Sequence, residues 1–215
     1  MSSLATVLVV CGGDDPASDA LAGLPAGAWV IAADGGIAHA FALGLPVHEA
    51  IGDFDSASEA AVERVRASGG RVVRYPVAKD ATDLELALTA AVARSPEEVV
   101  VIGGHGGRFD HWIANALLLA APRFAGPRIE ARMGAATVTV IRSGAPVALA
   151  GHPGDLVSLL PVHGPAQGVA TGGLLYPLVG EDLPAGTTRG VSNVFTGAEA
   201  AVSLSAGVLL AVQPG

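Results

Sequence analysis

The chain has 215 residues and a formal net charge of −8; 51% of its residues are hydrophobic, 15% are charged, and it carries 29 Gly, 14 Pro and one Cys. This apolar content excludes disorder as the main state, and the absence of any run of 18 apolar residues argues against a membrane span. Cys11 stands alone, which excludes an internal disulfide framework, and the opening MSSLATVLVVCGGDD has no basic leader, so we expect a cytoplasmic protein. The charge is uneven: residues 1–110 hold 15 Asp and Glu against 7 Lys and Arg, whereas 111–215 hold 5 against 5. An acidic half without basic clusters excludes nucleic acid as a main partner, because phosphate contacts need Lys and Arg. It suits a divalent cation instead.

Short β-branched runs at 6–11, 29–33, 48–51, 71–75 and 98–102 predict buried strands. Between and after them, 36–43, 58–67, 82–93 and 110–120 predict helices. This alternation predicts an α/β fold, with an N-terminal Rossmann-like parallel sheet carrying helices on both faces. From Arg128 onward, short runs separated by Gly, Pro, Asn and Ser predict a C-terminal antiparallel β-sandwich domain. The Pro-containing stretch 121–127 marks the boundary, giving an α/β domain over 1–124 and a β domain over 125–215.

Five polar segments follow the predicted strands: Gly12-Gly13-Asp14-Asp15, Asp34-Gly35-Gly36, Gly52-Asp53-Phe54-Asp55-Ser56, 79–85 and 103–111. Ligands of open parallel sheets bind beyond the carboxyl ends of the strands, so all five are expected to line one crevice. In an extended segment Asp53 and Asp55, at i and i+2, point the same way and reach one hard cation, with Phe54 turned to the core. The plainer alternative is a turn whose backbone these carboxylates cap. Segment 79–85 opens a helix, placing Asp80 and Asp83 on one face of its first turn. Thr82 or Asp80 equally serves as N-cap, with Glu85 completing a capping box after Thr82. Lys79, the only lysine, sits beside these carboxylates as a counter-charge for phosphate.

Segment 103–111 has four glycines within five positions, which lets backbone N–H groups approach an anion at a helix start. Arg108 adds a planar fork suited to phosphate oxygens, and Asp110 is a candidate N-cap for the helix that follows. His105 and His111 read as loop or core residues; neither has a partner at zinc-ligand spacing. The chain lacks G-x-x-x-x-G-K-[ST], G-x-G-x-x-G after its first strand and G-x-S-x-G, which argues against a Walker-type NTPase, a dinucleotide-dependent oxidoreductase and a serine hydrolase. Clustered Asp, one Lys, one Arg and glycine turns are the parts for Mg²⁺-assisted handling of a polyphosphate.

In order and spacing, Asp34-Gly35-Gly36, Gly52-Asp53-Phe54-Asp55-Ser56, Asp80-Ala81-Thr82-Asp83 and Gly107-Arg108-Phe109-Asp110-His111 resemble the thiamin pyrophosphokinase family. The resemblance continues through Ser158-Leu159-Leu160-Pro161, Thr171-Gly172-Gly173-Leu174 with Tyr176-Pro177-Leu178, and Gly190-Val191-Ser192-Asn193, so it covers nearly the whole chain. It implies an ATP-binding α/β domain and a β-sandwich that binds thiamin and dimerises, with the reaction ATP + thiamin → AMP + thiamin diphosphate in a homodimer. It implies that Asp53, Asp55 and Asp83 hold Mg²⁺, with Asp80 close by. Gly12, Asp34, Gly35, Gly36, Lys79, Asp80, Thr82, Arg108 and Asp110 fall to the ATP site. Asp83, Ser192 and Asn193 fall to thiamin, and Phe195 is the aromatic face where many members carry a Glu or a Trp-containing segment. Asp55, Asp83, Arg108 and Asp110 are the catalytic set, and Asp110 and Asp83 are the alternatives for accepting the hydroxyl proton. Two other functions compete: a pyrophosphokinase for another hydroxymethyl heterocycle such as a pterin, and a nucleotide-binding module that senses without catalysing.

Overall fold

The computed structural model describes residues 5–215; the first four, part of the opening stretch read above for a leader, lie outside the described residues. Two compact units divide the chain, one running to residue 118 and including 126–134, the other comprising 119–125 and 135–215.

The first unit holds β1 (Thr6–Cys11), β2 (Trp29–Ala33), α1 (Gly36–Ala42), β3 (Glu49–Gly52), α2 (Glu59–Ala67), β4 (Arg71–Arg74), α3 (Asp83–Val92), β5 (Glu98–Ile102), most of α4 (Phe109–Leu119) and β6 (Arg128–Met133). Its strands pair in parallel in the order β6-β5-β1-β2-β3-β4. All six residues of β1 are buried, because the strand is covered on both sides. Leu8, Val10, Val30 and Ala32 form one core cluster with Ile37 and Ala40 of α1 and Val62 and Val65 of α2. Val7, Val9, Ile31 and Ala33 alternate with them and are equally enclosed, on the face that α3 covers with Leu84, Ala87, Leu88 and Ala91. Each Val, Leu or Ile among them contributes about 1.5–3 kcal/mol by leaving water, and each Ala less.

The helix starts follow from capping. Ser58 Oγ accepts from Ala61 N–H and Thr82 Oγ1 from Glu85 N–H, so the N-cap of α3 is Thr82 and not Asp80. α4 begins at Phe109, which puts Asp110 inside its first turn and removes the N-cap role expected of it. A second difference concerns β6. The run RIEARM was expected to open the antiparallel part, but it pairs in parallel with β5, Ile129 beside Val99 and Ala131 beside Val101. A buried edge of an otherwise complete parallel sheet takes the next apolar strand, and β6 alternates its buried residues to match.

The second unit contains the 3₁₀ turn η1 (Pro122–Phe124) and strands β7 (Ala136–Arg142), β8 (Val147–Ala150), β9 (Leu156–Pro161), β10 (Ala166–Gly172), β11 (Val179–Leu183), β12 (Asn193–Val194), β13 (Glu199–Ser203) and β14 (Val208–Gln213). They form two antiparallel groups, β12-β9-β14-β7 and β11-β10-β13-β8. Inward residues of both, including Ile141, Leu159 and Leu209 from one and Leu149, Val169 and Val202 from the other, share a single core. That is a sandwich, with strands alternating buried and half-exposed residues as in LVSLLP of β9.

Candidate active site

Strand order places the turns. The chain runs outward from β1 through β2, β3 and β4, then returns to the other side of β1 with β5, so the order reverses between β1 and β5. Crevices at such reversals, beyond the strand carboxyl ends, are where open α/β sheets bind ligands. The turns after β1 and β5 meet there: Gly104 N–H donates to Gly12 O at 3.0 Å, and Asp14 N–H donates to His105 O at 2.9 Å. The turn after β2 lies against its neighbours as well. A Cβ on Gly36 would stand 2.0 Å from Val10 O, so only glycine lets α1 start this close to β1.

The acidic groups converge one strand further out. Asp34 follows β2, Asp53 follows β3, and Asp83 begins α3; one carboxylate oxygen from each lies within 4.8 Å of the others. Lys79 Nζ is 2.5 Å from Asp53 Oδ2 and 3.2 Å from Asp83 Oδ1, the second contact an ion pair without hydrogen-bond alignment. Burial raises the Asp83 carboxyl above the usual range, outweighing the attraction of Lys79. The hydrogen bond from Lys79 holds Asp53 below it. Lys79 itself is raised, since its contacts with both carboxylates overcome the larger single effect of burial, which works to lower it. Asp34 Oδ1 and Asp83 Oδ1 are buried acceptors without a hydrogen-bond partner. Closely grouped carboxylate oxygens with unused lone pairs fit a hard divalent cation such as Mg²⁺.

The family resemblance placed Asp34 with the nucleotide; the structure groups it with Asp53 and Asp83. Its signal was topological: it directly follows β2, which pairs with β3, the strand directly before Asp53. Asp55 lies outside the grouped three. It is exposed, its Oδ1 accepts from Ser56 Oγ, and its N–H donates to Asp53 Oδ1. The extended geometry expected to align the two carboxylates does not form, because Phe54 takes φ 61°. A left-handed backbone at a bulky residue costs about 1–3 kcal/mol, and here burial of the Phe54 ring in the core offsets it. Phe54 does face the core, at 6% exposure. Asp80 is exposed and makes none of these contacts.

Arg108 donates from Nε to Asp110 Oδ1 at 3.2 Å and from Nη2 to Asp110 Oδ2 at 2.6 Å, both side chains being exposed. The hydrogen bond from Arg108 pushes Asp110 down to about 2. Gly103, Gly104, Gly106 and Gly107 all adopt positive φ, which folds this loop back toward the turn after β1.

In the second unit Ser192 is exposed, with its N–H donating to Ser158 Oγ. Asn193 is 3% exposed; its Oδ1 accepts from the N–H of Tyr176 and of Val194, and its Nδ2 donates to Tyr176 O. Its amide thus holds the segment that presents the exposed Leu175 and Tyr176. Phe195 offers no face to a ligand. It is 1% exposed and its ring packs beneath Gly151 within the sandwich core, a correction the alternation of β12 and the following bridge explains.

A cleft of about 490 Å³ lined by Trp29, Phe41, His48 and Arg64 opens at the opposite, amino-terminal ends of β2 and β3. Its aromatic faces are already covered: Arg94 lies 3.9 Å over Trp29, His48 stacks on the same ring, and Arg64 lies 4.0 Å over Phe41. Concavity alone therefore does not locate the chemistry; the carboxylate group at the other end of the sheet does.

Fold and site define a parallel α/β unit with a carboxylate–lysine group beyond its strand ends, followed by an antiparallel β-sandwich. Residues 24–131 match the thiamin pyrophosphokinase catalytic domain and residues 147–209 the thiamin pyrophosphokinase vitamin B1 binding domain. The chain belongs to the thiamin pyrophosphokinase family. It is 41% identical over 75 residues to the thiamine pyrophosphokinase of Bacillus subtilis (strain 168), a match spanning 35% of each chain. The crystal structure of thiamine pyrophosphokinase from Bacillus subtilis superposes with a TM-score of 0.83 at 25% identity, covering 97% of this chain and 98% of that one. A thiamin pyrophosphokinase family protein from Enterococcus faecalis gives 0.80 at 28% identity, with the same coverage.

Proposed function

We propose that the protein transfers the pyrophosphoryl group of ATP to thiamin, giving thiamin diphosphate and AMP, with Mg²⁺ held by Asp34, Asp53 and Asp83. The observation that carries this reading is the convergence of those three carboxylates and Lys79 at the strand ends of a chain whose two parts match the family's two domains. Asp55, exposed on the same turn, is the carboxylate the family resemblance adds to the set.

In this reading the hydroxyl oxygen of thiamin attacks the β-phosphorus of ATP in line. The bond from that phosphorus to the oxygen bridging it to the α-phosphorus breaks, and AMP leaves with that oxygen. The protein contributes alignment and charge neutralisation more than covalent chemistry. The bound metal ion supplies charge neutralisation on the phosphate oxygens. Arg108, Lys79 and the glycine-rich turn amides at Gly12 and 103–107 face the phosphates, while Asp34-Gly35-Gly36, Asp80, Thr82 and Asp110 border the nucleotide. Asp110 and Asp83 are the alternatives for accepting the hydroxyl proton, and Asp110 becomes free to do so when Arg108 turns from it to the phosphates. Ser192 contacts thiamin through its exposed hydroxyl, and Asn193 acts by fixing Tyr176.

We assign the α/β unit to ATP and the sandwich to thiamin and dimerisation, in a cytoplasmic homodimer. Leu156, Val179 and Val191 leave apolar side chains exposed on the sandwich, which a second copy would cover. Among the described residues no helix is long and apolar enough to cross a membrane. The test is an assay with purified protein, ATP, Mg²⁺ and thiamin, following AMP and thiamin diphosphate together. Equal yields abolished by EDTA support the reading. AMP released only with a pterin alcohol reassigns the acceptor, and ATP binding without AMP release under any acceptor leaves a nucleotide-binding module.

A further inference from the structure

The one lysine of this chain is not on a solvated surface. Lys79 is 12% exposed in the loop between β4 and α3, with its ammonium on Asp53 Oδ2 and beside Asp83 Oδ1. Arg74, the other cation next to Asp53, donates instead to the main-chain carbonyl of Asp53 and to Glu59. Arg108 is paired with Asp110.

Three carboxylates this close repel one another when no cation lies between them. A lysine ammonium is a compact charge on a flexible stem, able to enter such a group and to leave it. It does not saturate the group: Asp34 Oδ1 and Asp83 Oδ1 keep unused lone pairs. A divalent cation at Asp53 Oδ2 would need the oxygen that Lys79 holds, and the ammonium and the cation would repel each other at that distance. The ammonium therefore has to move when the metal arrives. The nearest new partner of opposite charge is the polyphosphate that the proposed function brings to the same strand ends.

We propose that Lys79 is a built-in counter-ion that occupies the carboxylate group in the empty protein and yields it to the divalent cation when the triphosphate takes up its ammonium. Metal and nucleotide binding are thereby coupled through one side chain: each alone meets a competing Lys79, and together they relieve it. The proposal rests on the reading of this site as one for metal and ATP.

Mn²⁺ titration of the nucleotide-free protein, followed by electron paramagnetic resonance, tests it with Lys79→Met beside the unaltered chain. Without nucleotide, Lys79→Met is expected to bind Mn²⁺ about tenfold more tightly, since the competing cation is gone. α,β-Methylene-ATP should tighten Mn²⁺ binding by a larger factor in the unaltered chain than in Lys79→Met. Equal or weaker Mn²⁺ affinity in the nucleotide-free variant would overturn the proposal. A second measurement needs no variant. Because the chain has one lysine, labelling with ¹³Cε-lysine yields a single side-chain signal. That signal should move on adding Mg²⁺ with α,β-methylene-ATP and much less with Mg²⁺ alone; an unmoved signal in the ternary mixture would also overturn the proposal. If neither protein binds Mn²⁺ even with the analogue present, the metal–ATP reading itself fails, an outcome distinct from a bound metal that ignores Lys79.

Discussion

Gly52 and Asp34 stand so close that a Cβ on Gly52 would lie 3.1 Å from the Cβ of Asp34, and equally close to Asp83 Oδ1. The glycine ending β3 is what lets two carboxylates from neighbouring elements share one space. Gly52→Ala should fold but displace both groups by a few tenths of an ångström. Turnover is expected to fall about tenfold or more, because misplacement well under 1 Å is costly at a reacting centre. Steady-state kinetics with thermal unfolding checks this; unchanged kcat with a folded protein would show that the approach does not matter.

Asp34→Asn removes one of three mutually repelling charges. Metal-free stability should hold or rise slightly, whereas Mn²⁺ affinity should drop about tenfold or more with the loss of a charged ligand. Calorimetric titration and a melting curve read the two effects separately. Asp55→Asn, by contrast, should leave the fold intact and abolish turnover if the family resemblance assigns Asp55 correctly.

Arg108→Lys keeps the charge and loses the planar fork that now holds Asp110 through two bonds. A drop in kcat/KM for ATP of about 10- to 100-fold is expected, since a point charge cannot replace paired donors on phosphate oxygens. Full retention of kcat/KM would remove Arg108 from the phosphate site.

Cys11 is buried beneath the turn after β1, and burial pushes its thiol from 9.0 up to about 12. The folded chain holds this proton more tightly than the unfolded one. Its contribution to stability is therefore complete below about pH 9 and is lost as pH rises toward 12. Ellman's reagent at pH 8 should leave native Cys11 unmodified and label it fully in denaturant. Rapid native labelling would contradict the burial.

Val179→Glu on the exposed face of the sandwich should convert the proposed homodimer to monomer in sedimentation, with the monomer still folded. A dimer surviving that change would place the interface on another face.

The alternation of β-branched runs with helical spacing determined the α/β unit from sequence, and strands β1, β2 and β5 have the limits read from it. Such signals are local: burial on both faces demands continuous apolar runs, and Thr82 announces the start of α3 by its own side chain. The carboxylates and Lys79 were legible too, as residue types at turns. The family resemblance already put Asp53 and Asp83 together; what it did not give was Asp34 beside them in place of Asp55. That Asp34 joins Asp53 and Asp83 follows from β2 lying beside β3, a pairing between residues far apart in the chain. Likewise β6 joins the parallel sheet because β5 offers an open edge, and Phe195 turns into the sandwich core because its neighbours leave it no other side. Sequence determined which side chains stand at the strand ends; strand order and the left-handed backbone at Asp34 and Phe54 decided which of them meet. The reason is physical: turn chemistry is written within a few residues, whereas the distance between two carboxylates is set by how the whole sheet buries its apolar faces.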